Sequence, residues 1–213
     1  MTDLKFQQGD RVYSTETYNS DNISLSQWEE LKEFIRVQKL ASPNDPAIEN
    51  MLETTENGLL FNIKHKIRWT TDLGDICILK YNNIIIGVSA VERTLLHSHL
   101  SIGGVRCWLD INHRNNQLVT KYLLDSNLRW SKNNDMWSMM LTFNSYNKTI
   151  YDGIKRKSLK KSVGVGNIWS SWWNDCILFD KPINIRYTEQ WCVLKPINEF
   201  GNKIIKFELQ RIK

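Results

Sequence analysis

VRCWLDINHRNNQLVTKYLLDSNLRW, residues 105–130, and MWSMMLTFNSYNKTIY, residues 136–151, decide how this chain folds. Apolar side chains at Val105, Cys107, Leu109 and Ile111 follow the two-residue period of a half-buried strand. The polar turn Asn112-His-Arg-Asn-Asn-Gln117 follows, carrying one permanent positive charge at Arg114. Leu118, Val119, Tyr122, Leu123 and Leu128 then recur near the 3.6-residue period, which predicts an amphipathic helix opening directly out of the turn. The amino end of such a helix presents unpartnered N–H groups and the positive end of the helix dipole, which suits a phosphate or diphosphate. Met136 to Phe143 is a nearly continuous apolar run, as expected of a strand buried on both faces. The break Asn144-Ser-Tyr-Asn147 precedes a second predicted helix, Lys148 to Arg156, which carries Tyr151.

This order of elements and residues resembles the GNAT superfamily of acyl-CoA-dependent N-acyltransferases. The family has a strand, an Arg/Gln-x-x-Gly-x-Gly/Ala turn, a helix, another strand, then an Asn followed seven residues later by a Tyr. Here the turn reads Arg114-Asn115-Asn116-Gln117-Leu118-Val119, and Asn144 and Tyr151 stand at the Asn and Tyr positions. Gln117 and Val119 replace both glycines, and glycine is what lets a backbone approach a ligand closely. The resemblance is best over residues 73–157 and extends to the ends only by element order.

It implies a mixed α/β (α+β) fold: a mostly antiparallel sheet of about seven strands with one splayed parallel pair, flanked by helices. Residues 1–213 would form a single domain. Its parts would be a helical, acidic cap region (1–60), an acyl-CoA-binding core (73–157) and closing strands (168–212). The resemblance implies acetyl-CoA, or another acyl-CoA, as cofactor and donor. Backbone groups near Leu109 and Ile111 would line the pantetheine arm. Arg114, Asn115, Asn116, Gln117, Leu118 and Val119 would hold the diphosphate, and Asn144 would touch the arm. Tyr151 would protonate the leaving thiolate as an amine attacks the thioester directly, with the enzyme supplying proximity and proton handling. A general base is poorly specified, with Asp110, Glu92 and His113 as candidates beside a water-mediated route. The acceptor would be a small-molecule amine, a protein amine or a modified nucleobase, and a homodimer is compatible with the fold.

Composition sets outer bounds. At 213 residues the chain can bury a real core without disulfides or a structural metal. Cys77, Cys107, Cys176 and Cys192 are scattered with no Cys-x-x-Cys pair, and are expected to be buried, reduced thiols of a cytoplasmic protein. No apolar run reaches membrane-spanning length and the first residues lack a signal architecture. Residues 1–60 hold 5 Lys/Arg against 11 Asp/Glu, a net −6, while residues 61–213 hold 23 against 12, a net +11. A basic body suits an anionic cofactor and also nucleic acid. The rival reading is therefore a catalytically inactive fold of this type, holding nucleic acid or a protein partner.

The remaining signals are weaker. A short strand is expected near Val12-Tyr13, and a helix over Leu25–Lys39, capped by Ser24 or Ser26 and buried through Trp28, Leu31, Phe34, Ile35 and Leu40. Pro46 can open another helix. Asn82-Asn83 between two apolar runs marks a two-residue hairpin, and Gly103-Gly104 a hinge or turn. The basic run Lys155-Arg-Lys157 with Lys160-Lys161 and the Trp169/Trp172/Trp173 cluster could face an anion or a base, though a solvated helix end and a core are the usual fates of such runs. Cys176–Phe179 and Tyr187–Leu194 are expected as closing strands, with a last strand over Lys203–Ile212. His97-Ser-His99 lacks a third ligand for zinc, and no nucleophile elbow or phosphate loop occurs.

Overall fold

The computed structural model describes residues 4–18, 22–41, 75–93, 102–114, 117–144, 148, 151–153, 155, 175–185 and 188–211. They form nine strands and three α-helices, with a mostly antiparallel sheet that includes one parallel pair. The strands are β1 (Leu4–Gln8), β2 (Arg11–Tyr18), β3 (Ile76–Tyr81), β4 (Ile84–Arg93), β5 (Ile102–Leu109), β6 (Ser138–Asn144), β7 (Ile177–Leu178), β8 (Ile183–Ile185) and β9 (Thr188–Pro196). The helices are α1 (Leu25–Ala41), α2 (Gln117–Asn133) and α3 (Glu199–Arg211). The chain divides into two compact units, 1–92 with 106–130 and 93–105 with 131–213, so β5, α2 and, by its last residue, β4 each contribute to both.

In the first unit β1, β2, β3 and β4 form an antiparallel meander, continued by the second half of β5. Asn82 and Asn83 make the β3–β4 turn at φ 49° and 64°, the left-handed conformation that asparagine tolerates and a tight hairpin demands. Two strands replace the single short one expected near Val12, because Gly9 (φ 58°) turns β1 back onto β2. On β3, Ile76 and Ile78 pack with Trp28, Leu31, Phe34 and Ile35 of α1, while Cys77 and Leu79 pack with Leu123 of α2. The strand is buried on both faces, hence its unbroken apolar run.

The β3–β4 ladder slips by one residue: Leu79 pairs with Gly87 but Lys80 with Ile85. The extra residue, Ile86, turns the alternation over. Ile85 and Val88 both pack on the α1 side, and Ile86 packs on the α2 side. Gly87 follows Ile86 onto that crowded side, where a Cβ would stand 2.8 Å from Leu109 Cδ1 and 3.3 Å from both Leu123 Cδ1 and the Trp108 carbonyl. A bulge placing neighbours on one face leaves room there for only one side chain.

Helix α1 opens with a reciprocal cap: the Gln27 amide donates to Ser24 Oγ (3.3 Å), and the Ser24 amide to Gln27 Oε1 (2.9 Å). Its apolar face ends on Gln38, 5% exposed, rather than on Leu40, which is 68% exposed.

In the second unit the first half of β5 pairs in parallel with β6, from Ile102↔Ser138 to Val105↔Leu141. Gly103 and Gly104 therefore lie within a strand, not a turn. Antiparallel β9 covers the other edge of β6 and takes β7 and β8 on its own far side. Ile102, Met140, Phe179, Cys192, Leu194 and Ile205 form the core. The final segment is helix α3, not the expected strand. Asn198 caps it, accepting the Gly201 amide at 2.8 Å, while the Ile197 and Asn198 amides donate to the Trp137 carbonyl. The alternation of Ile205, Phe207 and Leu209 suggests a strand, yet Ile205 is fully buried and Phe207 is 61% exposed, as helical spacing requires.

The cysteines are all free. Cys77 and Cys192 are buried as expected, but Cys107 is exposed and Cys176 only half-buried. The expected helix at Pro46, the His97 and His99 pair and the Trp169/Trp172/Trp173 cluster lie outside the described residues.

Candidate functional site

Strand β5 stops at Leu109, two residues before the expected end, because Asp110 (φ −50°, ψ 138°) caps a 3-10 turn over Ile111–His113. One Asp110 carboxylate oxygen accepts the Asn112 amide at 2.9 Å. The Asp110 amide donates to the Ile86 carbonyl at 2.7 Å, so the bulge in β4 holds the end of β5. Ile111, expected to continue the strand, sits in the turn and is 57% exposed.

Arg114 closes the turn and bends back. Its Nε donates to the Leu109 carbonyl at 3.0 Å, and its guanidinium lies 4.3 Å from the centroid of the Trp108 ring. Both contacts restrict a side chain that is otherwise solvent-facing and leave the terminal nitrogens available to an anion. Asn115 and Asn116 lie outside the described residues. Gln117, Leu118 and Val119 are the first residues of α2, whose opening amides have no intrahelical acceptor.

The second carboxylate oxygen of Asp110 accepts Gln38 Nε2 at 2.7 Å, and Gln38 Oε1 accepts the Trp108 indole N–H at 3.0 Å. Burial pushes the Asp110 carboxyl up, but the bonds from Gln38 and Asn112 outweigh it and hold it below its ordinary value. A carboxylate with both oxygens engaged and its charged form favoured is suited to hold a turn. His113, beside Tyr13 and Tyr81, is shifted down by burial and by Arg11, against the opposing pull of Asp110. Its Nδ1 is buried with no hydrogen-bond partner among the described residues. Glu92 is half-buried near the end of β4.

In the second unit Asn144 ends β6 opposite Gln190. Tyr151 is helical and 1% exposed, its ring 4.7 Å from that of Trp191, and its hydroxyl donates to the Phe179 carbonyl. Burial, then the charges of Asp180 and Asp152 and the nearby Cys192, push its phenol up to about 12. The group stays protonated through the neutral range. Lys148 pairs with Asp152 at 2.9 Å, and Lys155, from the expected basic run, approaches Asp180 at 3.4 Å. Among the described residues no cluster of His, Cys, Asp or Glu is placed to hold a metal, and no helix is long and apolar enough to cross a membrane.

No protein-family model matches the chain, and no curated protein matches its sequence. Solved structures do match. A GNAT-family acetyltransferase from Streptococcus pneumoniae superposes with a TM-score of 0.56 at 13% identity, over 87% of this chain and 99% of that one. The fold is that of the GNAT acetyltransferases. A ribosomal-protein-alanine N-acetyltransferase from Brucella melitensis (TM-score 0.52, 8% identity) covers 86% of this chain and 99% of its own. The yncA protein of Salmonella typhimurium, solved with its cofactor acetyl-CoA (0.53, 9% identity), covers 88% and 95%. In this GNAT fold β5, the turn at Arg114, α2 and β6 are the elements anticipated from residues 105–144.

Proposed function

We propose that the chain is an acyl-CoA-dependent N-acyltransferase with acetyl-CoA as donor. One observation carries the reading: Arg114 is fixed just before the amino end of α2, on a GNAT fold. A permanent cation next to helix amides that have no intrahelical acceptor suits a diphosphate. Without glycines at 117 and 119, Arg114 takes a larger share of that task. Asn115, Asn116, Gln117, Leu118 and Val119 supply backbone donors, and Asn144 contacts the arm.

The chemistry is direct. The amine nitrogen forms a bond to the thioester carbonyl carbon, the C–S bond breaks, and the thiolate leaves with the electron pair. Tyr151, kept protonated by burial, is the proton source for that thiolate, and the amine proton passes to Glu92 or to water. The Leu109 carbonyl already accepts Arg114 Nε, so the arm draws on the remaining backbone groups of β5 and on Ile111.

Calorimetric titration with acetyl-CoA and CoA, repeated on Arg114→Ala, tests the reading. One-to-one binding weakened by the substitution supports it and opens a screen of amine acceptors. The second reading, a GNAT fold that binds nucleic acid or a protein partner without catalysis, is favoured by the buried, engaged hydroxyl of Tyr151. No binding of either nucleotide would select it.

A further inference from the structure

Gln38 is the one amide on the buried face of α1, on a helix whose other buried residues are Trp28, Leu31, Phe34 and Ile35. A buried amide is costly unless both ends are satisfied. Here both ends are, and the partners fix which end is which: an indole N–H can only donate and an ionised carboxylate can only accept. Trp108 Nε1 thus selects Oε1, and Asp110 Oδ2 selects Nε2.

Each partner of Gln38 leads to Arg114 by a separate route. Trp108 is the ring on which the guanidinium lies, and its indole plane is pinned at the nitrogen by Gln38. Asp110 caps the 3-10 turn whose closing residue is Arg114. One side chain of α1 therefore sets both the platform under the guanidinium and the backbone that carries it. We propose that Gln38 is a positioning residue that holds Arg114 in its anion-binding pose, compensating for the close backbone approach that glycines at 117 and 119 would have allowed. The inference rests on the acyl-CoA reading for its ligand, but not for its geometry.

The test is a swap. Gln38→Glu keeps the acceptor for Trp108 and sets a carboxylate against Asp110. It should weaken CoA binding about tenfold, the scale of one lost charge-assisted hydrogen bond. Adding Asp110→Asn restores a donor and acceptor at every position: the amide nitrogen introduced at position 110 donates to the carboxylate introduced at position 38, and the new amide oxygen still accepts the Asn112 N–H. The double variant should bind CoA within about twofold of the parent, a coupling that independent sites would not show. The nitrogen-15 spectrum is the second readout: the Trp108 indole and Arg114 Nε resonances should shift in Gln38→Glu and return in the double variant. Unchanged affinity in the single variant, or no recovery in the double, overturns the proposal. If the parent itself fails to bind CoA, the acyl-CoA reading falls, and the two resonances decide alone: shift and return support the positioning role, and unmoved signals refute it.

Discussion

The guanidinium of Arg114 lies 4.3 Å from the centroid of Trp108, five residues after the strand carbonyl of Leu109 to which its Nε donates. The side chain doubles back over the end of the strand that precedes it. A flexible cation becomes a fixed one, with less rotamer freedom left to lose on binding an anion.

Arg114→Ala should therefore lose affinity for CoA by roughly ten- to a hundredfold, the range of a hydrogen bond to a charged group. Arg114→Lys should recover only part of it, because an ammonium neither stacks on the indole nor offers a forked donor pair. Affinity for an acyl-pantetheine lacking the diphosphate should be equal in all three proteins, and calorimetry at constant ionic strength would show any departure.

Tyr151→Phe removes the proposed proton donor and the hydrogen bond to Phe179 together. Turnover of acetyl-CoA should drop by about two orders of magnitude with KM little changed, the scale of general-acid catalysis. Stability should fall by about 1 kcal/mol. The phenol is also raised from 10.0 to about 12, so the folded state should lose stability as pH climbs from 10 through 12. Denaturation midpoints across that range should fall more steeply in the parent than in the variant, which keeps only the share of the raised cysteine thiols; an intact turnover number would remove Tyr151 from the chemistry.

Acid acts through different groups. His113 is depressed below 6.5, so its contribution is complete above that pH and is lost as pH falls through the lower folded value. Asp110 and Glu16, held below 3.8 and 4.5, add a second loss in stronger acid by the same sign. Urea midpoints between pH 7 and 5 should decline in the parent and stay flatter in His113→Gln.

Gly87→Ala should cost about 1–3 kcal/mol, since the methyl meets Leu109, Leu123 and the Trp108 carbonyl, and the backbone oxygen cannot rotate away. Gly201→Ala, which would place its methyl against the Trp137 ring, should cost a similar amount. Equilibrium unfolding in denaturant measures both, and values near zero would show that these contacts relax freely.

What is legible in the sequence follows from periodicity. The strand ending at Leu109, helix α2, the run at Met139–Leu141 and the Asn82-Asn83 hairpin all carry a local pattern that survives burial. Helix α3 escapes such a reading because alternate apolar residues over a short window fit a strand as well as a helix. Gln38 escapes it for a different reason. Its distance of seven residues from Leu31 and three from Ile35 places it on the buried face, but its polarity argues for solvent, and only its two partners, distant in sequence, resolve the conflict. Arg114 stands out by its place in a turn; that Trp108 lies beneath it depends on side-chain direction, which no spacing records.

The extra residue in β4 is more than a local irregularity. Ile86 is at once the inserted residue and the acceptor of the Asp110 amide, so the slip sets how far the strand end reaches. Deleting it would even the ladder and, in the same stroke, turn one half of β4 inside out. Chain length at this point works as a vernier on the site, and a loss or gain of one residue there would be felt at Arg114 before any side chain of the turn had changed.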